Sequence, residues 1–400
     1  MSRIPYAQLQ EMEQFRRQLA ENDDLEPEKI VDELVRQAKT LENAQEETAK
    51  PGPDARQSLG ARSGSAGRGD VSLLSNEELL SAATTGIEAQ AVLRMTSVPA
   101  AHAHVLEPST NPLVTFELKN HTKRDVRLRV RSFIEGYTAT AVDTVELLAS
   151  DDETIKVNQL PTFFPDRLGA VHDPTRATLN VEIEELNGEG SRIEDHRTFR
   201  VWILPATTAV LKQKDPDSGE LLDMSSYLVS WVTPNAPEVM GVLREASEHT
   251  AEKRIVGYQV DEDGVRAQVQ AMFQALKNRG IFYVNSVVAV GATDAFVQRV
   301  RLPVQALGER SANCIDGAVL YASLMEAASL EPGIVLIPGH AFVCWKRQRG
   351  GKWDFLETTM TASHGFAEAV AVGRMTAEKY PTRTILDVTD LRTEGYLPLQ

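Results

Sequence analysis

The sequence predicts a multidomain α+β protein, and three observations lead to that class. A length of 400 residues with 42% hydrophobic content and only 12 Phe favours two or three compact domains over one oversized core. The spacing of apolar residues changes along the chain, from a helical period to a period of two and then to a mixture of both. Residues 49–71 are rich in Gly, Ser, Pro and Arg without apolar periodicity, which reads as a flexible linker between folded parts. No repeat of fixed period is present, so a solenoid is excluded.

Residues 1–48 form a helical arm in this reading. Tyr6, Leu9, Met12 and Leu19, then Ile30, Leu34, Ala38 and Leu41, recur at helical spacing, which suggests a helical hairpin packed on its own protein or on a partner. Residues 72–97 read as a short helical connector, because Ser75 and Glu78 have capping-box spacing ahead of Leu79, Leu80 and Ala83. Over 98–211 apolar side chains alternate in the stretches 113–118, 126–131, 144–148, 154–157, 178–183 and 199–203, separated by turn residues. That pattern predicts an antiparallel β-sandwich of immunoglobulin-like size. Its histidines, His102, His104, His121, His172 and His196, lack ligand spacing and are expected in solvated connections. Residues 223–400 mix both periods as an α+β domain. Helices are expected near 238–251, over Val265–Arg279 with Gly280 as its stop, and from Cys314 onward, followed by two or three strands between Gly333 and Thr359.

Charge and composition narrow the function classes. A formal net charge of -15 leaves no excess of cations to displace counterions from phosphate, which argues against nucleic acid as a partner. No apolar run approaches the roughly 20 residues of a membrane span, and the start of the chain is charged, so a cytoplasmic protein without a membrane partner is expected. Two cysteines, Cys314 and Cys344, are too few for a disulfide framework or an all-cysteine metal cage, and a reducing compartment keeps both as thiols.

The chemistry concentrates between Cys314 and Glu357. Cys314 opens a helix that is apolar on most sides, so the helix is expected to be buried with its N-terminal end facing a cleft. Free N–H groups and the positive end of the helix dipole favour a thiolate there and can hold an oxyanion. Pro338-Gly339 then breaks an apolar strand just before His340, so the imidazole emerges where the backbone bends. A turn centred on Arg349 sets Glu357 opposite Ala341, next to His340, where a carboxylate can orient the imidazole while it takes the thiol proton. Asp316 is expected as a structural cap, and Asn313 as a cap or an oxyanion donor. Tyr283 and Gln298 are further oxyanion candidates by position alone, Cys344 is expected to pack near the site, and His364 to lie in a loop. A zinc site from Cys314, His340 and Cys344 lacks paired short spacings on two elements; no metal or cofactor is implied.

From about Val265 to Thr359 the chain resembles the transglutaminase-like superfamily of papain-like thiol enzymes, through the stretch 298–307, Asn313-Cys314, the apolar helix, Gly339–Val343 and the strand ending at Thr359. The resemblance implies a transglutaminase-like fold for 223–400, Cys314 as nucleophile, His340 as general base and then acid, and Glu357 as the orienting acid. Members of that superfamily commonly carry Asp-Pro-Thr where this chain has Glu357-Thr358-Thr359, and no calcium site of the animal crosslinking enzymes is recognisable. The expected function is a cysteine-dependent hydrolase of amide bonds, a peptidase acting on a protein or peptide substrate. A transglutaminase or amidase shares the chemistry. The reading from another class is a protein-binding scaffold on an inactive fold, with a partner protein held by the arm and the sandwich.

Overall fold

The computed structural model describes residues 26, 28–37, 39, 81–82, 86–149, 153–186, 192–215, 218–284 and 295–399. The expected linker 49–71, the first helix of the arm and the capping-box segment Ser75–Glu78 lie outside these residues. The fold is mixed α+β, and the chain forms two compact units that are each discontinuous in sequence. Among the described residues no helix is long and apolar enough to cross a membrane.

One unit comprises 76–240, 286–308 and 386–400. Strands β1 (Ser81–Ala82), β2 (Ile87–Leu93), β3 (Ser97–Pro99), β4 (Val114–Asn120), β5 (Val126–Ile134), β6 (Ala141–Leu147), β7 (Ile155–Gln159), β8 (Thr175–Glu185) and β9 (Arg192–Leu204) make two sheets, ordered β1-β2-β4-β7 and β3-β9-β8-β5-β6. Ala89, Leu93, Phe116 and Leu118 of the first sheet share one core with Val130, Leu179, Val181 and Val201 of the second. Along β5 the alternation is regular: Val126, Leu128 and Val130 are buried, while Arg129 and Arg131 turn outward to pair with Glu182 and Glu184 of β8. A third sheet joins β10 (Thr208–Lys214), β11 (Leu221–Asp223) and β13 (Ala295–Arg299) in the order β11-β10-β13.

Three expectations change here. Residues 87–93 are a strand of the first sheet instead of part of a helical connector, because Ile87, Ala89, Ala91 and Leu93 form a buried period-two face whose two alanines give little apolar contrast in sequence. The pairing is not wholly antiparallel, since β3 runs parallel to β9. The segment 286–308 and the end of the chain from 386 cluster with the sheets, so 223–400 is not one continuous domain.

The other unit comprises 1–75, 241–285 and 309–385. Its helix 28–37 buries Ile30, Val31 and Leu34 and pairs Asp32 with Lys379, so the described part of the arm packs on its own chain. The helix Glu262–Arg279 starts at Asp261, whose side chain accepts from Gly264 N–H, and stops at Gly280 in the left-handed region at φ 67°. Val265, Val269, Met272, Phe273 and Leu276 are its buried face. A short parallel pair, β12 (Phe282–Tyr283) with β14 (Ser311–Ala312), leads to the cysteine helix Cys314–Ala327. That helix is buried from Ile315 to Met325 and packs on β15 (Pro332–Ile337) and β16 (His340–Lys346). With β17 (Trp353–Leu356) and β18 (Thr384–Asp387) these form a sheet ordered β17-β16-β15-β18. The helix Phe366–Lys379 covers β17 closely, because a side chain at Gly373 would stand 2.9 Å from the Leu356 nitrogen.

Candidate active site

The cysteine helix begins with a complete capping box. Asn313 Oδ1 accepts from Asp316 N–H at 2.8 Å, and Asp316 Oδ2 accepts from Asn313 N–H at 3.0 Å. Asn313 and Asp316 are therefore committed to the cap, and Cys314 occupies the first helical position in a half-buried setting. Such a thiol is reachable while facing the positive end of the helix.

His340 is placed by a two-residue turn. Ile337 and His340 are the closing pair of the β15–β16 hairpin, and Pro338-Gly339 makes the bend with Gly339 at φ 75°. His340 Nε2 meets Glu357 Oε2 at 2.8 Å, with both side chains almost fully buried. Cys314 is the other titratable group that acts on the imidazole, and like Glu357 it favours the protonated ring.

Glu357 reaches the histidine differently from the expected register. Val343 pairs with Leu356 and Lys346 with Trp353, which centres the turn between Arg349 and Gly350. Continuing the ladder by one residue brings Glu357 opposite Phe342 instead of Ala341. That slip is consequential, because it moves the carboxylate from the face of Ala341 to the face shared by His340 and Phe342. The Phe342 ring lies parallel to the imidazole with centroids 6.0 Å apart. A residue two positions along on the neighbouring strand is a diagonal neighbour, within reach of a long side chain. Glutamate spans that diagonal.

The carboxylate is locked from its other side. Glu357 caps the turn Thr358–Met360, and its Oε1 accepts from Thr359 N–H at 3.1 Å and Thr359 Oγ1 at 2.7 Å. Its backbone N–H donates to the Ala369 carbonyl at 3.1 Å. The turn lies against the cysteine helix at Gly317, where a Cβ would stand 2.8 Å from Thr358 Oγ1. Tyr321 OH and Thr361 Oγ1, 3.0 Å apart, tie the same two elements together, and Thr361 Oγ1 donates to the Thr358 carbonyl at 2.7 Å.

The electrostatics follow from burial and pairing. Burial alone pulls the His340 imidazole down, but the Glu357 charge and the hydrogen bonds to Cys314 and Glu357 outweigh it and raise the pKa to about 9. Burial pushes the Glu357 carboxyl up, yet His340 and the two Thr359 bonds hold it below the ordinary carboxylate value. At neutral pH the pair is an imidazolium held by a carboxylate.

A small depression beside the site is lined by Asn313 and Gly317 of the cysteine helix, Thr358 and Thr359 of the following turn, and Tyr283; Cys314, His340 and Glu357 are not part of its lining. Tyr283 pairs with Ala312, two residues before the cysteine. Gln298 belongs to the other unit: it pairs with Ala209 on β10, and its side-chain amide donates to the Arg299 carbonyl. Cys344 is fully buried in a core cluster with Val335, Phe342 and Ala377, its sulfur 2.8 Å from where a Gly333 Cβ would stand. His364 is buried in the turn before helix Phe366–Lys379, with Nδ1 2.7 Å from Ser363 Oγ. Among the described residues no group of three or more His, Cys, Asp or Glu could hold a metal ion.

Sequence reasoning missed Thr359 and Gly317. The first had a local signal, a threonine two residues after a glutamate, a spacing at which side chain and backbone can close a turn. The second had none, since the close approach at Gly317 involves Thr358 on another element. No protein-family model and no curated protein matches the chain.

Proposed function

We propose that this protein is a cysteine-dependent hydrolase of amide bonds, a peptidase that works through a Cys314–His340–Glu357 triad on a transglutaminase-like, papain-like α+β fold. The observation that carries the reading is the buried 2.8 Å contact between His340 Nε2 and Glu357 Oε2, with a half-buried helix-start cysteine as the other partner of the ring. A buried ion pair of this kind is costly to maintain for packing alone. The order of elements, a cysteine helix followed by the histidine hairpin and a carboxylate at the end of the next strand, also supports the fold assignment.

In the proposed reaction Cys314, its thiol proton held on His340, attacks the substrate carbonyl carbon as the thiolate, and the carbonyl oxygen becomes an oxyanion. N–H groups at the start of the cysteine helix are the nearest oxyanion donors by position, and the Asn313 side chain is already used as a cap. The C–N bond then breaks as His340 protonates the departing amine, leaving a thioester on Cys314. Water attacks the thioester while neutral His340 takes its proton, and the C–S bond breaks to release the carboxylic acid. Glu357 retains its charge throughout and keeps the ring oriented. An amine in place of water in the second half would give transglutamination. The test is labelling by a thiol-directed acylating probe: Cys314→Ala abolishes it, and equal labelling of variant and parent would sink the assignment.

A further inference from the structure

We propose that Thr359 is a positioning residue for the triad: its hydroxyl and backbone N–H occupy one oxygen of Glu357 and leave the other to hold His340 Nε2. The proposal rests on the reading of Cys314, His340 and Glu357 as a catalytic triad. Glutamate has a terminal torsion with broad, two-fold preferences, so a carboxylate facing a single partner is free to rotate. Glu357 is wholly buried and must find its donors within the protein. Its two oxygens are divided between elements: Oε1 takes Thr359 N–H at 3.1 Å and Thr359 Oγ1 at 2.7 Å, and Oε2 takes His340 Nε2 at 2.8 Å. Fixing Oε1 fixes the plane of the carboxylate and therefore the aim of Oε2. Holding Nε2 in turn leaves Nδ1 as the ring nitrogen available to the thiol. Thr359 itself is 6% exposed, so little water competes with its donors for Oε1. The backbone bond alone would leave Oε1 with one donor, and removing a hydrogen bond to a buried charge weakens the ion pair that keeps His340 protonated.

Three variants test this: Thr359→Val, nearly the same shape without a donor; Thr359→Ala, without the branched side chain; and Thr359→Ser, which restores the hydroxyl. Two readouts are used, the rate of Cys314 alkylation by iodoacetamide across pH and the NMR titration of the His340 ring. Thr359→Val and Thr359→Ala are expected to slow alkylation about tenfold at pH 7, with little change at pH 10 where any thiol ionises. Their His340 titration moves down by about one pH unit, and Thr359→Ser returns both readouts to the parent values. A folded Val or Ala variant with parental profiles overturns the proposal, as does a Ser variant that behaves like Val. If the parent's Cys314 alkylates no faster than Cys344 in a Cys314→Ala control, the hydrolase reading fails instead. The ring titration then still decides whether Thr359 sets the carboxylate.

Discussion

Two buried histidines, one in each unit, show how differently the same side chain can be used. His102 is wholly buried among the sheets, stacked on Tyr227 at 4.9 Å and edge-on to Trp231 at 5.0 Å. Neither of its ring nitrogens has a hydrogen-bond partner among the described residues. Burial, with a smaller effect from His104, pushes its pKa down to about 3, so it is a neutral aromatic plate at physiological pH. His340 is buried almost as deeply, but it meets a carboxylate at 2.8 Å and a thiol, and its pKa is raised to about 9. Burial is common to both. What separates the two rings is a charged partner that is itself held in place.

The sharpest way to break this comparison is to substitute both rings. His340→Ala is expected to lower the rate of Cys314-dependent acylation by about 10² to 10⁴, whereas His102→Phe leaves it unchanged; equal losses would erase the distinction. Next in size is the carboxylate. Glu357→Gln removes the charge that keeps His340 protonated, and Glu357→Asp draws the oxygen back by about 1.5 Å, so both variants are expected to lose at least about tenfold in acylation rate. An aspartate variant at parental rate would show that the diagonal reach is not needed.

A smaller effect is expected at Gly317. Alanine has the better helix propensity by about 1 kcal/mol, yet its Cβ would stand 2.8 Å from Thr358 Oγ1. Gly317→Ala should therefore lose about 1–3 kcal/mol of stability through overpacking, read as a lower melting temperature. A gain would mean that the turn moves aside freely.

The pH dependence is the finest test. The folded pKa of His340 lies above its unfolded value of 6.5, so its contribution to stability is full below 6.5 and is lost as pH rises through about 9. Acylation should fall over the same alkaline limb, where the ring can no longer protonate a leaving amine. The folded pKa of His102 lies below 6.5, so its unfolded form takes up a proton that the folded form refuses, and stability falls as pH drops from 6.5 towards 3. Between those limits the slope is about 1.4 kcal/mol per pH unit. His102→Phe should remove it from the acid unfolding curve measured by circular dichroism.

Local features of the site were readable from the residues. Asn313 and Asp316 signal the start of the cysteine helix, Gly280 signals the end of the helix before it, and Pro338-Gly339 signals the bend ahead of His340, because each acts on backbone atoms within a few positions. Counting along the hairpin brought Glu357 to within one residue of its true register, but only the paired strands show which face it occupies. His102 looked like a solvated loop residue until Tyr227 and Trp231, more than a hundred positions away, closed over it. The other sandwich histidines keep polar company: His104 Nε2 lies 3.0 Å from the Leu397 carbonyl, His121 pairs with Glu88, His172 is exposed and His196 meets Asn180, although His196 sits within β9 instead of a connection.

The sequence by itself determined the α+β class, the ends of the key helices and the order cysteine, histidine, carboxylate, since capping, turn chemistry and apolar period depend on neighbours in the chain. Only the tertiary structure decided which segments share a unit, that strand β2 joins a sheet, that helix 28–37 packs on its own chain, that Thr359 bonds the Glu357 carboxylate, and that Thr358 comes close against Gly317. Burial and close approach are properties of surfaces brought together from distant parts of the chain, and no local pattern encodes which surface arrives.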